Sequence, residues 1–430
     1  MPRVLVVNTG SSSIKYQLFD MPEGSGEPRG GAPVGRKGSG EPPGGAPVDR
    51  GHKVLASGVV ERIGEVGARL THRAGDAEAL VVEDRVADHS EGFERVFGAF
   101  EAAGEPIGEL AGIGHRVVHG GDRLTAPTLV DEDTVRAIAD QVPLAPLHNP
   151  SNLLGIRIAM ASFPDTPQVA VFDTAFHQTM PPRAWRYALP ADLAAELRIR
   201  RYGFHGTSHA YVSRKAAEHL GRPADELNLI TLHLGNGASV AAVAGGRCID
   251  TSMGMTPLEG LVMGTRSGDL DPAVVFYLHR EAGLSVDDID DLLNKRSGML
   301  GLAGANDLRE VGRRAADGDQ AAAEALDVYC YRIRKYAGAY AAALGRLDAL
   351  VFTAGVGENN DGVRAGVCQG LEGLGVTLNP KRNRARSGRP RTISADDAPV
   401  AVLVVPTNEE LEIAEQTLAV VGGGTPLRSV

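Results

Sequence analysis

Val4-Leu5-Val6-Val7-Asn8-Thr9-Gly10-Ser11-Ser12-Ser13-Ile14-Lys15-Tyr16-Gln17-Leu18-Phe19 is the stretch from which the architecture is read. The short valine-rich apolar run Val4 to Val7 predicts a buried strand. Asn8 to Ser13 breaks it with small polar residues, and Ile14 to Phe19 alternates as a second strand. About 225 residues later the pattern returns as Leu229 to Leu234, the turn Gly235-Asn236-Gly237-Ala238-Ser239, and Val240 to Val243. Two such openings in one chain predict a duplicated fold with one copy per lobe. Helical patterns lie between the strands. Phe93, Val96, Phe97 and Phe100 share one helical face, with Ser90 as the expected cap. Leu326, Ile333, Ala337, Tyr340 and Leu344 mark a longer helix that stops at Gly345. Strands alternating with helices make the expected class α/β.

A chain of 430 residues exceeds one ordinary core, so two domains are expected. Its 43% hydrophobic and 23% charged residues describe a globular protein. The net charge of -10 argues against a nucleic-acid or anionic-membrane partner, so an anionic ligand needs local basic groups and oriented amides. Three scattered cysteines, Cys248, Cys330 and Cys368, suit a reducing cytoplasm better than a disulfide framework. No signal peptide and no membrane-length apolar run is read, so a soluble cytoplasmic location is expected. Residues 21–52 stand apart. They are rich in glycine, proline and charge, and Gly24-Ser25-Gly26-Glu27-Pro28 recurs as Gly38-Ser39-Gly40-Glu41-Pro42. Such composition offers little to bury and predicts a flexible excursion between two strands.

Four regions place glycine with hydroxyl, amide or acidic groups directly after apolar strands: Asn8 to Ser13, Phe172-Asp173-Thr174, Gly235 to Ser239, and Gly355-Val356-Gly357-Glu358-Asn359. Glycine lets a backbone approach a phosphate closely, and exposed amides at turns and helix starts bind anions. One such turn is weak evidence, but four together point to a nucleotide. Gly-x-x-x-x-Gly-Lys-Ser/Thr is absent, which excludes a P-loop enzyme, and the protein-kinase motif set is absent too. Phosphoryl transfer needs cations around the equatorial oxygens and carboxylates for a metal. Arg116, Arg266 and Lys15 are the candidate cations. A surface ion pair is the plainer reading of any lone arginine, but glycine and apolar neighbours weaken it here. His205 and His209 have a spacing open to a structural or a metal-binding reading, and without His-Glu-x-x-His zinc is not favoured.

From Val4 to about Ala414 the chain resembles the acetate kinase family, a branch of the acetate and sugar kinase, Hsc70 and actin superfamily. The resemblance rests on Asn8 to Lys15, Phe172 to Pro181, Tyr202 to His209, and Asp250 to Gly260 leading into Gly264-Thr265-Arg266. It implies two duplicated actin/hexokinase-like (ribonuclease H-like) lobes with a nucleotide cleft between them. The expected lobes are 1–175, completed by a C-terminal helix at about 408–430, and 176–407. It also implies reversible transfer of a phosphoryl group from ATP to acetate, giving acetyl phosphate and ADP.

Implied roles follow position by position. Arg116 binds the substrate carboxylate, and His205 with Arg266 stabilises the phosphoryl group. Asp173 is the catalytic carboxylate; ionised acetate needs no base, so metal positioning and alignment are the role expected of it. Asn8 and Glu409 are the metal-linked positions for magnesium, with manganese as a substitute. Lys15, Ser11 and Ser13 lie at the first phosphate turn. His233, Leu234, Gly235, Asn236 and Gly237, then Asp307, Leu308 and Arg309, then Gly355, Val356, Gly357, Glu358 and Asn359, match the nucleotide segments. Val118, Leu147, Phe204 and Pro257 match the apolar pocket around the methyl group. Gly301 to Asp307 is one residue shorter than the family pattern. A homodimer is implied as well. Propionate or butyrate kinase is the near alternative, with a sugar kinase or a chaperone-type ATPase further off.

Overall fold

The structure, a computed structural model, describes residues 1–22, 51–104 and 107–423. The excursion expected over 21–52 therefore lies, but for its ends, outside the described residues. The chain divides into two compact units. The first comprises Met1–Ala175 and the C-terminal segment that begins at Asn408, and the second Phe176–Thr407.

The first unit carries β1 (Arg3–Thr9), β2 (Ser13–Asp20), β3 (Lys53–Glu61), β4 (Arg69–Ala74), β5 (Leu80–Glu83), β6 (Gly112–Val117), β7 (Thr128–Leu129) and β8 (Gln168–Phe172). They form one sheet in the order β5-β4-β3-β2-β1-β6-β8-β7. The second carries β9 (Asn228–Leu234), β10 (Ala238–Ala244), β11 (Arg247–Thr251), β12 (Ala349–Thr353), β13 (Arg391–Thr392) and β14 (Ala401–Val404), ordered β11-β10-β9-β12-β14-β13.

The duplication is visible in these orders. In β3-β2-β1-β6-β8 the first two pairings are antiparallel and the last two parallel. The run β11-β10-β9-β12-β14 repeats that pattern pairing for pairing. Apolar runs explain the inner strands: parallel strands covered on both faces need continuous hydrophobic sequence, and every residue of β8 and of β12 is buried. Asn8 and Thr9 complete β1, so the break falls at Gly10 to Ser12, two residues later than the sequence reading placed it.

Helix His89–Ala102 buries Phe93, Val96 and Phe100 against the first sheet, each worth about 1.5–3 kcal/mol. Its cap is Asp88, not Ser90. The Asp88 carboxylate accepts the Glu91 amide at 3.0 Å, while Glu91 accepts the Ala87 amide at 2.8 Å. Helix Gln320–Leu344 stops at Gly345, whose φ of 73° is the left-handed conformation glycine adopts freely. Its buried face runs through Tyr329, Cys330, Ile333, Ala337 and Tyr340, leaving Leu326 and Leu344 only half-buried. Helix Glu409–Val421 lies on β6, and Gly112 and Gly114 make the approach possible. A Cβ at Gly114 would collide with Thr417 and Ile413.

Candidate active site

In the first unit, β1, β6 and β8 run parallel side by side, so their carboxyl ends converge on one edge. Open α/β sheets bind ligands at that edge. Asn8 stands at the end of β1, Arg116 near the end of β6 and Asp173 just past β8. The Arg116 guanidinium grips Asp173 with Nε at 3.1 and 3.2 Å and Nη2 at 2.6 Å. Among the described residues its Nη1 makes only a long 3.5 Å contact with Asn8 Oδ1, which leaves that nitrogen able to meet a carboxylate. Burial alone would lower the Arg116 pKa. The Asp173 charge and hydrogen bonds outweigh it and raise the value, with Glu409 and Glu410 adding.

Glu409 enters this group from the first turn of its helix, whose cap is Asn408. Among the described residues its Oε1 has no hydrogen-bond partner, and it is shut from solvent. Burial pushes the carboxyl up to about 7 against the opposing charge of Arg116; Asp173 and Glu410 raise it further, and Lys15 lowers it. The described residues hold no ready cluster of three metal-ligating side chains, but an orphaned, buried carboxylate oxygen that feels the Asp173 charge has donor chemistry compatible with a divalent cation.

The first glycine turn is held from several sides. Gly10 N–H donates to Ser13 O at 2.8 Å, His89 Nε2 lies 2.8 Å from Gly10 O, and Asn152 Nδ2 donates to Thr9 O at 2.7 Å. Ser11 and Lys15 are exposed and Ser13 half-buried, and Lys15 pairs with Asn8 across the hairpin. Val118 is buried, its amide donating to Asn152 Oδ1 at 3.0 Å, whereas Leu147 is 56% exposed.

In the second unit the residues gather around the Gly235–Gly237 turn. His205, at the start of helix Gly206–Leu220, has φ of 57°, a left-handed conformation that a non-glycine residue adopts only under enforcement. Its ring stacks on His233 at 4.2 Å and 19°. A Cβ at Gly237 would lie 3.4 Å from His205 Nε2 and 3.6 Å from Arg266 Nη1, so the missing side chain lets both groups face one spot. Arg266 Nη1 reaches only the Pro257 carbonyl at 3.4 Å and Met263 Sδ at 3.8 Å, and no carboxylate pairs with Arg266 among the described residues. Burial without a counter-ion lowers its pKa. Phe204 is buried and Pro257 half-buried.

The Arg266 loop is clipped to the start of helix Gly298–Ala303. Ser297, Met299 and Leu300 donate their amides to Thr265, Met263 and Gly264 carbonyls at 3.0, 2.9 and 2.9 Å. Gly298, with φ of 60°, closes the approach: a Cβ there would collide with Met263 O and come within 2.6 Å of Arg266 O. Asn236 joins the same loop by accepting the Gly264 amide at 2.9 Å on its backbone carbonyl.

Gly355 to Asn359 lies within helix Ala354–Asn359 directly after β12, not in an open turn. Glu358 Oε1 accepts the Thr407 amide at 3.1 Å. Behind it sits Arg364, which the sequence did not single out. It is fully buried and donates to Gly357 O, Glu358 O and Asn383 Oδ1 at 2.9, 3.0 and 2.7 Å. Burial, with Arg391 adding, pulls its pKa to about 10. Asp307 caps helix Leu308–Ala316 and binds Arg309 at 2.7 Å, while the Arg309 side chain stands 90% exposed. Ser208 and Ser239, also unflagged as site residues, bond His233 Nδ1 at 2.8 Å and His205 Nδ1 at 2.9 Å. Their sequence signal was only their place inside the Tyr202–His209 and Gly235–Ser239 motifs.

A sequence profile of the Acetokinase family matches residues 3–415. The chain is 56% identical over 427 residues to a Streptomyces avermitilis protein named acetate kinase, with 98% of each covered. It is 54% identical over 428 residues to a Leifsonia xyli protein of the same name, covering 99% of this chain and 100% of that one. Among solved structures, Porphyromonas gingivalis acetate kinase superposes with a TM-score of 0.87 at 42% identity, covering 98% and 100%. A propionate kinase from Francisella tularensis gives 0.85 at 38%, covering 96% and 98%.

Proposed function

The chain belongs to the acetokinase family, and from that premise we infer that it is an acetate kinase, transferring a phosphoryl group reversibly between ATP and the carboxylate of acetate. Arg266 is the observation that carries the phosphoryl-transfer reading. A guanidinium withdrawn from water without a carboxylate partner, beside His205, calls for an anion.

Acetate arrives ionised, so no general base is needed. Arg116 engages both Asp173 oxygens, so Asp173 orients the guanidinium while the lone pairs it keeps leave it able to position a metal; Nη1 of Arg116 then holds the acetate carboxylate. One acetate oxygen attacks the γ-phosphorus in line as the bond to the ADP oxygen breaks. Arg266 and His205 stabilise the charge on the equatorial oxygens, and the glycine turns hold the remaining phosphates. Glu409 and Asn8, with Asp173, would hold magnesium or manganese, which would supply neutralisation of phosphate charge.

By the family resemblance, Val118, Leu147, Phe204 and Pro257 are the residues proposed to surround the methyl group. An added methylene gains about 0.8 kcal/mol if it fits, while overpacking costs about 1–3 kcal/mol. Acetate should therefore be preferred over propionate by roughly ten- to two-hundredfold in kcat/KM. The Francisella relative keeps a propionate kinase reading in play. A coupled assay with acetate, propionate and butyrate decides: a parent enzyme that prefers propionate refutes the acetate assignment, and one that uses none of the three refutes the reaction class.

We propose a cytoplasmic homodimer as well. Three free, buried thiols suit a reducing compartment. No helix among the described residues is long and apolar enough to cross a membrane. Helix Ala273–Ala282 leaves Phe276 and Tyr277 each 61% exposed, an apolar face of the kind a second copy covers. Light scattering that returns a 45.1 kDa monomer would refute the dimer.

A further inference from the structure

A buried hydrogen-bond chain runs behind His205 in the second unit. His209 is shut away from solvent, with Nδ1 2.7 Å from Thr231 Oγ1 and Nε2 2.8 Å from Ser239 Oγ. Ser239 Oγ lies 2.9 Å from His205 Nδ1. Each hydroxyl has one hydrogen, and each neutral imidazole has one N–H and one lone pair. Three polarities are compatible with that count. In the first, Thr231 donates to His209 Nδ1, His209 Nε2–H donates to Ser239, and Ser239 donates to His205 Nδ1; His205 carries its hydrogen on Nε2. In the second every bond is reversed, His205 carries its hydrogen on Nδ1, and the Thr231 hydroxyl hydrogen points at no acceptor. In the third, Ser239 accepts from both imidazoles, His205 again carries its hydrogen on Nδ1, and the Ser239 hydroxyl hydrogen points at no acceptor.

The buried hydroxyl hydrogens decide among them. Thr231 and Ser239 are both fully buried; among the described residues the Thr231 hydroxyl meets only His209, and the Ser239 hydroxyl meets only His205 and His209, so the second and third polarities each strand one donor. An unpaired buried donor disfavours an arrangement by about ten- to a hundredfold, so the first polarity prevails. A doubly protonated His209 would break the argument, but burial holds its pKa well below the ordinary value, and the neighbouring His177 and His233 lower it further.

We propose that Thr231, His209 and Ser239 are positioning residues that fix His205 in the Nε2–H tautomer, so that it meets the transferring phosphoryl group as a neutral donor; this deepens the phosphoryl-transfer reading above and rests on it. The consequence is chemical. With the opposite tautomer a lone pair would face the phosphoryl oxygens and repel them. Nε2 is the nitrogen that faces the open space at Gly237, which Arg266 Nη1 also faces, so the hydrogen is carried toward the proposed anion position. The ring plane is held independently: His233 stacks on His205, Ser208 bonds His233 at 2.8 Å, and Thr407 lies 2.9 Å from Ser208. None of the three relay residues needs to touch substrate for this role.

The test joins a tautomer readout to kinetics on the full-length chain. Protein labelled with nitrogen-15 histidine is examined by long-range proton–nitrogen correlation without substrate, and the parent should show His205 as Nε2–H. Thr231→Val keeps the shape but removes the terminal donor. It should give a mixture of both tautomers and lower kcat about three- to tenfold. Ser239→Ala should lower kcat about ten- to a hundredfold, less than deletion of a whole oxyanion donor, with both KM values within about threefold. Ser239→Thr, which restores the hydroxyl, should recover most of the loss. A parent in the Nδ1–H form overturns the proposal. So does a Thr231→Val protein with unchanged tautomer and unchanged kcat, or a Ser239→Ala loss confined to KM. The spectrum needs no turnover. An Nε2–H parent without acetate-dependent activity would therefore support the relay while refuting the acetate kinase reading.

Discussion

Replacing Glu409 by glutamine should stabilise the metal-free protein at alkaline pH while removing its response to magnesium. In the folded chain burial raises the Glu409 carboxyl from 4.5 to about 7. Below the lower value the group is protonated in the folded and unfolded states alike, and it makes no pH-dependent difference. Between the two values the unfolded chain releases a proton that the folded chain keeps, so stability falls as pH rises. Above about 7 the folded protein carries the full cost of a buried carboxylate, about 3 kcal/mol for a rise of that size. Glutamine has nearly the same shape and never ionises. In chelator, urea unfolding of Glu409→Gln and parent should agree within about 0.5 kcal/mol near pH 4.5. At about pH 8 the variant should be more stable by 1–3 kcal/mol. Magnesium with ADP should raise the parent's stability and leave the variant nearly unmoved. A stability difference that does not change with pH would refute the argument. It would mean that Glu409 ionises without cost and that its orphaned oxygen is no seat for a cation.

Two further substitutions probe the remaining parts of the site. Gly298→Ala forces an L side chain into left-handed backbone against the Met263 and Arg266 carbonyls; it should cost about 2–5 kcal/mol and lower kcat at least tenfold, and full activity with unchanged urea stability would show that the Arg266 loop is not held there. Arg116→Lys replaces a fork that grips Asp173 by a single ammonium. The acetate KM should rise about tenfold or more with the ATP KM little changed, and an equal loss for both substrates would remove Arg116 from acetate recognition.

Much of the fold lay in the sequence because its signals are local. Four apolar residues, a small polar turn and an alternating run make a strand, a turn and a strand wherever they occur, and Val4 to Phe19 and Leu229 to Val243 did so twice. Boundaries were less legible. Asp88 rather than Ser90 caps its helix, because a carboxylate one turn ahead of Glu91 completes the better hydrogen-bond pair. The arginines show what the sequence left open. Arg116, Arg266 and Arg364 look alike in sequence, each an arginine among small and apolar neighbours. The first is gripped by an aspartate 57 residues away, the second has no carboxylate among the described residues, and the third is spent on carbonyl and amide oxygens. The same holds for Glu409, whose burial beside Arg116 and Asp173 moves its pKa, and for the direction of the Thr231–His209–Ser239–His205 chain. Strand and turn formation depend on neighbours in the chain, so the sequence by itself determined them. The charge and hydrogen-bond direction of a buried group depend on partners brought from distant segments, and only the tertiary structure decided those.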